Sequence, residues 1–192
     1  MSLVPPDTAP AILPRRHQAV FGASYAAGGA AMLVLTLLGL YLQVRSGDPS
    51  TWLAQNQISL AQPNVQLFTL VMSAVTMQWA VWSIARDERG QALWASGITL
   101  LLGLAFVNQT WFLWNNLGLP LTNAAGKWFY ALTGAHVALV ALGLLYLLLM
   151  AFRVLGGSFG SRLPDGLAAP AVLWHTAVLL YVPIWIGVYV AK

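Results

Sequence analysis

The sequence predicts an all-α fold, an integral membrane bundle of five transmembrane helices. Three observations predict it. Only 7% of the 192 residues are charged and 59% are hydrophobic, whereas a soluble domain carries about 25% charged residues. Five apolar stretches are each long enough to cross a bilayer, which takes about 20 residues in a helix. The charged residues, and much of the Gly and Pro punctuation, fall between those stretches. A chain so poor in charge cannot cover a globular surface in water, so lipid must be the solvent for most of it.

Residues 1–18 carry Pro5, Pro6, Pro10 and Pro14 and read as an extended, mobile tail. Arg15-Arg16 followed by an apolar run suggests a signal peptide. That run continues to Val44, well beyond a cleaved h-region of about 7–15 residues, so it is read as a retained first helix. Residues 19–192 then form one membrane domain with no separate soluble unit. Its expected spans are 19–44, 65–85, 93–114, 128–152 and 169–190, none with Asp, Glu, Lys or Arg in its interior. The connections are Ser46-Gly47-Asp48-Pro49 onward, Arg86-Asp87-Glu88-Arg89-Gly90, Leu119-Pro120, and Gly156-Gly157 onward. The first is the longest. With Trp52, Gln55, Asn56, Gln57 and Gln62 it is expected at the membrane surface.

The distribution of basic residues orients the chain. One side holds Arg15, Arg16, Arg86, Arg89, Arg153 and Arg162, and the other holds Arg45, Lys127 and Lys192. The excess places the amino terminus in the cytoplasm and the carboxyl terminus outside. Trp79, Trp82, Trp94 and Trp174 then fall near cytoplasmic helix ends, and Trp111, Trp114, Trp128 and Trp185 towards outer ends. Two interfacial belts are the expected arrangement, since indole pairs an apolar ring with an N–H that seeks water. Basic residues scattered among loops do not make a nucleic-acid surface. With no cysteine, the chain has no disulfide, thiolate metal site or cysteine nucleophile.

Helices in lipid associate through close backbone contact. The first span supplies Gly22, Ala26 and Ala30 at four-residue spacing, with Gly29 beside them and Ala23, Ala27 and Ala31 adjacent. They read as a packing seam, within the chain or against another subunit. Gly134 and Ala138 repeat the spacing in the fourth span. Pro183 lacks the N–H for the Leu179 carbonyl and should bend the fifth.

His136 and His175 are the only ionisable groups expected inside spans apart from tyrosine, and such groups are the default functional candidates. The favoured reading is a neutral imidazole bonded to a neighbouring helix or a lipid headgroup. A metal or haem held by both meets a geometric objection. Counted from the expected helix ends, the two differ in height by roughly 9 Å at 1.5 Å per residue, too far for two axial ligands of one iron. Asn108, Gln109, Thr110, Asn115 and Asn116 cluster at the outer end of the third span and read as a capped end near water. No phosphate loop, catalytic triad or metal-ligand spacing is present, so no catalytic residue, cofactor site or metal site is assigned.

The chain resembles subunit III of the haem-copper terminal oxidases in its five-helix bacterial form. Phe21-Gly22, and Tyr41-Leu42 with Arg45, match the family's first retained helix. Thr69-Leu70, Ser73, Thr76 and Trp79-Ala80 match the second, with Arg86 to Gly90 as the basic turn. Gly103 to Phe106 and Gln109 stand in the third. Phe129, Tyr130, Leu132, Thr133, Gly134 and His136 match the fourth, and Trp174-His175 opens the fifth. Ala30, Phe112, Leu139 and Val178 stand where the family has Glu, Glu, His and Asp, so roles given to those groups do not carry over.

The resemblance implies an accessory, non-catalytic subunit of an oxygen-reducing cytochrome c oxidase in a bacterial cytoplasmic membrane. Such a subunit packs on subunit I beside subunit II and holds phospholipid. Haem and copper belong to the partner catalytic subunit and none is bound by this chain. Tyr130, Thr133 and His136 are expected on a polar seam of the fourth helix, and Trp174 and His175 at the cytoplasmic end of the fifth, as lipid or subunit contacts. A quinol oxidase or nitric oxide reductase subunit is the alternative. A small transporter or channel is a second, although no internal repeat is evident and five spans suit inverted repeats poorly.

Overall fold

The computed structural model describes residues 17–47, 52, 58–159 and 165–191. Among them are five α-helices: α1 (Gln18–Gly47), α2 (Ala61–Ala85), α3 (Arg89–Leu117), α4 (Ala124–Leu155) and α5 (Asp165–Ile184). A π-helical turn, Trp185–Val190, continues α5. All five helices are long and apolar enough to span a bilayer. Residues 1–16 of the expected tail, and Asp48, Pro49, Gln55, Asn56, Gln57, Arg162 and Lys192, lie outside the described residues, while Gln18 of that tail already belongs to α1.

The helices overrun the expected spans by several residues at most ends. The apolar stretch measures the hydrocarbon layer, whereas hydrogen bonding carries a helix on into the interface. The stops are chemical. α3 ends at Gly118, whose positive φ of 53° lets its N–H meet the Trp114 carbonyl at 3.4 Å. α4 ends in a Schellman-type closure: Gly157 (φ 79°) donates to the Val154 carbonyl and Ser158 to that of Arg153. α2 turns into α3 through Asp87 (φ 61°), with the Arg86, Asp87 and Glu88 N–H groups on carbonyls of Ser83 and Ile84.

The near end of the bundle holds the starts of α1, α3 and α5, and the far end holds their finishes. Helix contacts run α2–α3–α4–α1–α5 and close from α5 back to α2, with α5 also packing on α4 across the interior. α5 therefore touches three helices and is the most buried, while α1 is the least. At the near end the start of α1 is tied to α5: His17 donates its backbone N–H to Asp165 Oδ2 at 2.8 Å, and its Nδ1 lies 3.1 Å from Oδ1.

Pro183 is accommodated within α5. It cannot bond the Leu179 carbonyl, and two residues later the helix widens to π geometry, closed by Ala191 N–H on the Ile186 carbonyl at 2.8 Å. The π turn buries Gly187, Val188 and Tyr189 in succession. Gly187 lies against Leu38 and Leu42 of α1, and Tyr189 faces Phe129 of α4 edge-on. Arg45 donates to the Gly187 carbonyl at 3.1 Å.

Gly22, Ala26 and Gly29 stand on the exposed side of α1, and a Cβ added at either glycine meets nothing within 4 Å. The seam inside the chain is one residue over, at Ala23 and Ala27, continued by Val34, Leu38 and Tyr41. Ala30 packs partly buried against the core. Gly134 is half-buried, with only Trp114 at its Cβ position, 4.0 Å away. The two seams share one spacing, so their rotation about the helix could not be read from periodicity.

Candidate functional site, a polar and aromatic interior

Nine polar side chains are buried among the described residues: Gln66, Thr69, Ser73, Ser83, Ser96, Thr99, Thr110, Thr133 and His136. None is a carboxylate, a lysine or an arginine. Their arrangement follows one local rule. A Ser or Thr hydroxyl in a helix donates to its own carbonyl three or four residues back, which leaves its oxygen free to accept from a neighbouring helix. Ser73, Thr69, Thr110 and Thr133 bond the carbonyls of Leu70, Val65, Phe106 and Phe129 in this way. Each then receives a donor: Trp174 Nε1 on Ser73 at 3.1 Å, Gln109 Nε2 on Thr69 at 3.3 Å, Gln66 Nε2 on Thr110 at 3.0 Å and Trp114 Nε1 on Thr133 at 3.2 Å.

One of these contacts and a further one form a ladder between antiparallel α2 and α5. Trp174 reaches Ser73, and the Tyr181 hydroxyl donates to Gln66 Oε1 at 2.7 Å. Both members of the second rung lie seven residues from those of the first, about 10 Å along each helix at 1.5 Å per residue. Because Gln66 accepts through Oε1 and donates through Nε2, its carboxamide orientation is set and α2, α3 and α5 are joined. Thr76 and Thr99 join α2 to α3 at 2.8 Å, and Gln62 Nε2 donates to the Gln109 carbonyl at 3.1 Å. Gln109 Oε1 is buried without a partner among the described residues.

Trp174 is only 1% exposed, the largest side chain at the centre of the core. It is therefore no anchor at the cytoplasmic end of α5 and belongs to neither expected Trp belt. Glycines make its slot. A Cβ at Gly103 would stand 2.5 Å from Trp174 Cη2 and from Leu144 Cδ2, and one at Gly143 would stand 3.1 Å from Trp174 Cε3. His136 is 2% exposed, with Nε2 2.8 Å from the Ala177 carbonyl. A carbonyl can only accept, so the neutral ring carries its proton on Nε2. Phe106 meets His136 and Tyr181 edge-on, with centroids 5.6 and 5.4 Å away.

The structure thus buries Thr133, His136 and Trp174 inside the chain. Tyr130 is half-buried, edge-on to Trp114 and Phe129. His175 stays partly exposed, 3.3 Å from Gln78 Oε1. The expected height difference between the two histidines was too large. His136 sits level with Ala177, two residues beyond His175, because α4 and α5 both begin four residues before the expected spans. Each imidazole nonetheless has a different partner. Gln109 and Thr110, expected as an end cap, belong to the interior network, while Asn115 and Asn116 are exposed. Trp52, in the connection expected at the membrane surface, is buried within the chain and donates to the Tyr41 hydroxyl at 3.2 Å. Sequence reasoning missed Gln66 and Tyr181, and had Ser73 only as a position shared with the family. The signal was the shared seven-residue spacing of Gln66 and Ser73 in α2 and of Trp174 and Tyr181 in α5.

Chemically, the site holds neutral donors and acceptors paired between helices. It can set helix register. Among the described residues, no three His, Cys, Asp or Glu side chains gather in metal-binding geometry.

The family model described as cytochrome c oxidase subunit III matches residues 53–191, which includes all of α2–α5 and leaves out α1. Relatives named cytochrome c oxidase subunit 3 are similar. That of Paracentrotus lividus is 29% identical over 131 residues, covering 66% of this chain and 49% of the relative. That of Coturnix japonica is 28% identical over 131 residues, covering 68% and 50%. That of Spodoptera frugiperda is 27% identical over 128 residues, covering 66% and 87%. The chain spans about half the length of most of these curated relatives.

Proposed function

This chain belongs to the cytochrome c oxidase subunit III family, and on that premise we propose that it is an accessory, non-catalytic subunit of a respiratory haem-copper oxidase. The observation that carries the reading is that the family match runs through α2–α5, the four helices that build the polar interior. Haem and copper are assigned to the partner catalytic subunit. The chain packs on subunit I beside subunit II, and phospholipid covers the rest of its apolar surface. The absence of Asp, Glu, Lys and Arg from the buried positions among the described residues supports a scaffold role, because a proton path through a membrane protein is built from ionisable groups.

The basic residues, six against three, support an orientation with the near end of the bundle in the cytoplasm, and a bacterial cytoplasmic membrane is the location that resemblance to the five-helix form of the family implies. Residues 1–18 are read as a tail preceding a membrane domain at 19–192.

The test is purification of the tagged chain in mild detergent. A haem protein whose spectrum shifts with carbon monoxide should co-purify, and His136→Leu should leave haem per catalytic subunit unchanged. A colourless chain recovered alone would overturn the reading.

A further inference from the structure

His175 and Gln78 form a polar side-chain pair that the fold leaves open on its outer surface. They meet on the open side of α5, where it runs between α1 and α2. Gln78 is seven residues from the end of α2 at Ala85, and His175 is ten from the start of α5 at Asp165. At 1.5 Å per residue these are about 10 and 15 Å from the near end, inside a hydrocarbon layer about 30 Å thick. The other outward α2–α5 pair, Trp185 Nε1 on Asn64 Oδ1 at 2.9 Å, sits three residues from the start of α2, where interfacial water reaches it.

Hydrocarbon offers no hydrogen-bond partner, and a polar group left unsatisfied there is costly. When His175 Nε2–H donates to Gln78 Oε1, the Gln78 carboxamide keeps two N–H donors and His175 Nδ1 is a bare acceptor. Neither has a further partner among the described residues. Around them the face is apolar, with Val71, Val75 and Leu179 exposed. Headgroup phosphates and ester carbonyls lie above this depth, so a protein side chain is the fitting complement.

We propose that this face of α5 and α2, centred on His175 and Gln78, receives a transmembrane helix of another oxidase subunit bearing a side-chain oxygen that accepts from the Gln78 carboxamide. The assignment rests on the oxidase reading above and names the surface that reading needs. Interhelical hydrogen bonds and close packing hold such helices together in lipid.

Photo-crosslinking in native membranes tests it, with benzoylphenylalanine placed at Val75 or Leu179, and at Leu101 on α3 as the control face. Adducts from positions 75 and 179 should map to one polar-bearing transmembrane segment of an oxidase subunit, and position 101 should yield lipid adducts. Lipid adducts alone from 75 and 179, or protein adducts from 101 alone, overturn the assignment. The double variant Gln78→Leu, His175→Leu should lower retention of the complex through a detergent wash at least about tenfold, with helicity and melting of the purified chain unchanged. Unchanged retention overturns the assignment even if the wild-type chain still brings down its haem protein. If the wild-type chain brings down none, the oxidase reading itself fails and takes this surface with it.

Discussion

Gly103 carries more of the structure than its size suggests. The Trp174 indole lies in a slot that a single methyl group closes, since a Cβ there would stand 2.5 Å from both Trp174 and Leu144. Gly103→Ala should therefore destabilise the chain by about 1–3 kcal/mol, the usual cost of overpacking. Gly97→Ala, in the same helix with nothing within 4 Å of its Cβ position, should be neutral or better. Thermal unfolding of both variants in detergent checks the pair, and equal effects would remove the slot from the explanation. Tyr181→Phe keeps the ring against Phe106 but takes the proton from Gln66 Oε1. Hydrogen bonds between membrane helices average about 0.6 kcal/mol, with about 1.7 as an upper value. A loss in that range is expected by the same measurement. Gly103, Trp174 and His136 were legible as positions shared with a family. Their roles were not, because a glycine's function is defined by the side chain that occupies its space, and that side chain lies 71 residues away.

Among the elements, α1 and the end of α5 behave differently from the rest. α1 turns Ala23 and Ala27 inwards and leaves Gly22, Ala26, Gly29, Phe21 and Tyr25 open, the last 82% exposed. Ala27→Leu should cost about 1–3 kcal/mol by overpacking. Gly29→Ala should hold or raise stability, since Ala exceeds Gly in helix propensity by about 1 kcal/mol. Melting of the isolated chain separates the two, and a reversed order would mean that α1 is rotated by a residue. At the far end, Arg45 bonds a carbonyl of the π turn. Arg45→Met should speed amide exchange at 188–190 without altering exchange in α2 or α3. The π turn was not foreseen. A proline marks a missing hydrogen bond in the sequence, but whether the helix kinks or widens there depends on what its next residues pack against.

At the scale of the whole molecule, the absence of cysteine makes orientation directly measurable. A single cysteine at Ser158 lies at the near end and one at Asn116 at the far end, both exposed positions. With the near end cytoplasmic, an impermeant maleimide should label Asn116→Cys in intact cells and Ser158→Cys only after the membrane is opened. The opposite pattern would invert the proposed topology. The depth argument for the two histidines miscarried because α4 and α5 each begin four residues before the expected spans, which puts His136 twelve residues and His175 ten residues inside their helix starts.

By itself the sequence determined that five helices form, where they run and that lipid surrounds them. Each of those follows from charge scarcity and run length, which any apolar solvent enforces one helix at a time. Only the tertiary structure decided which face of each helix turns inwards. In water, burial sorts side chains by polarity, but lipid tails are as apolar as a protein core, so Trp94 at 75% exposure and Trp174 at 1% read alike along the chain. What sorts them is fit and hydrogen bonding between helices: an indole slot between two glycines, and a hydroxyl that has already given its own proton back to its helix.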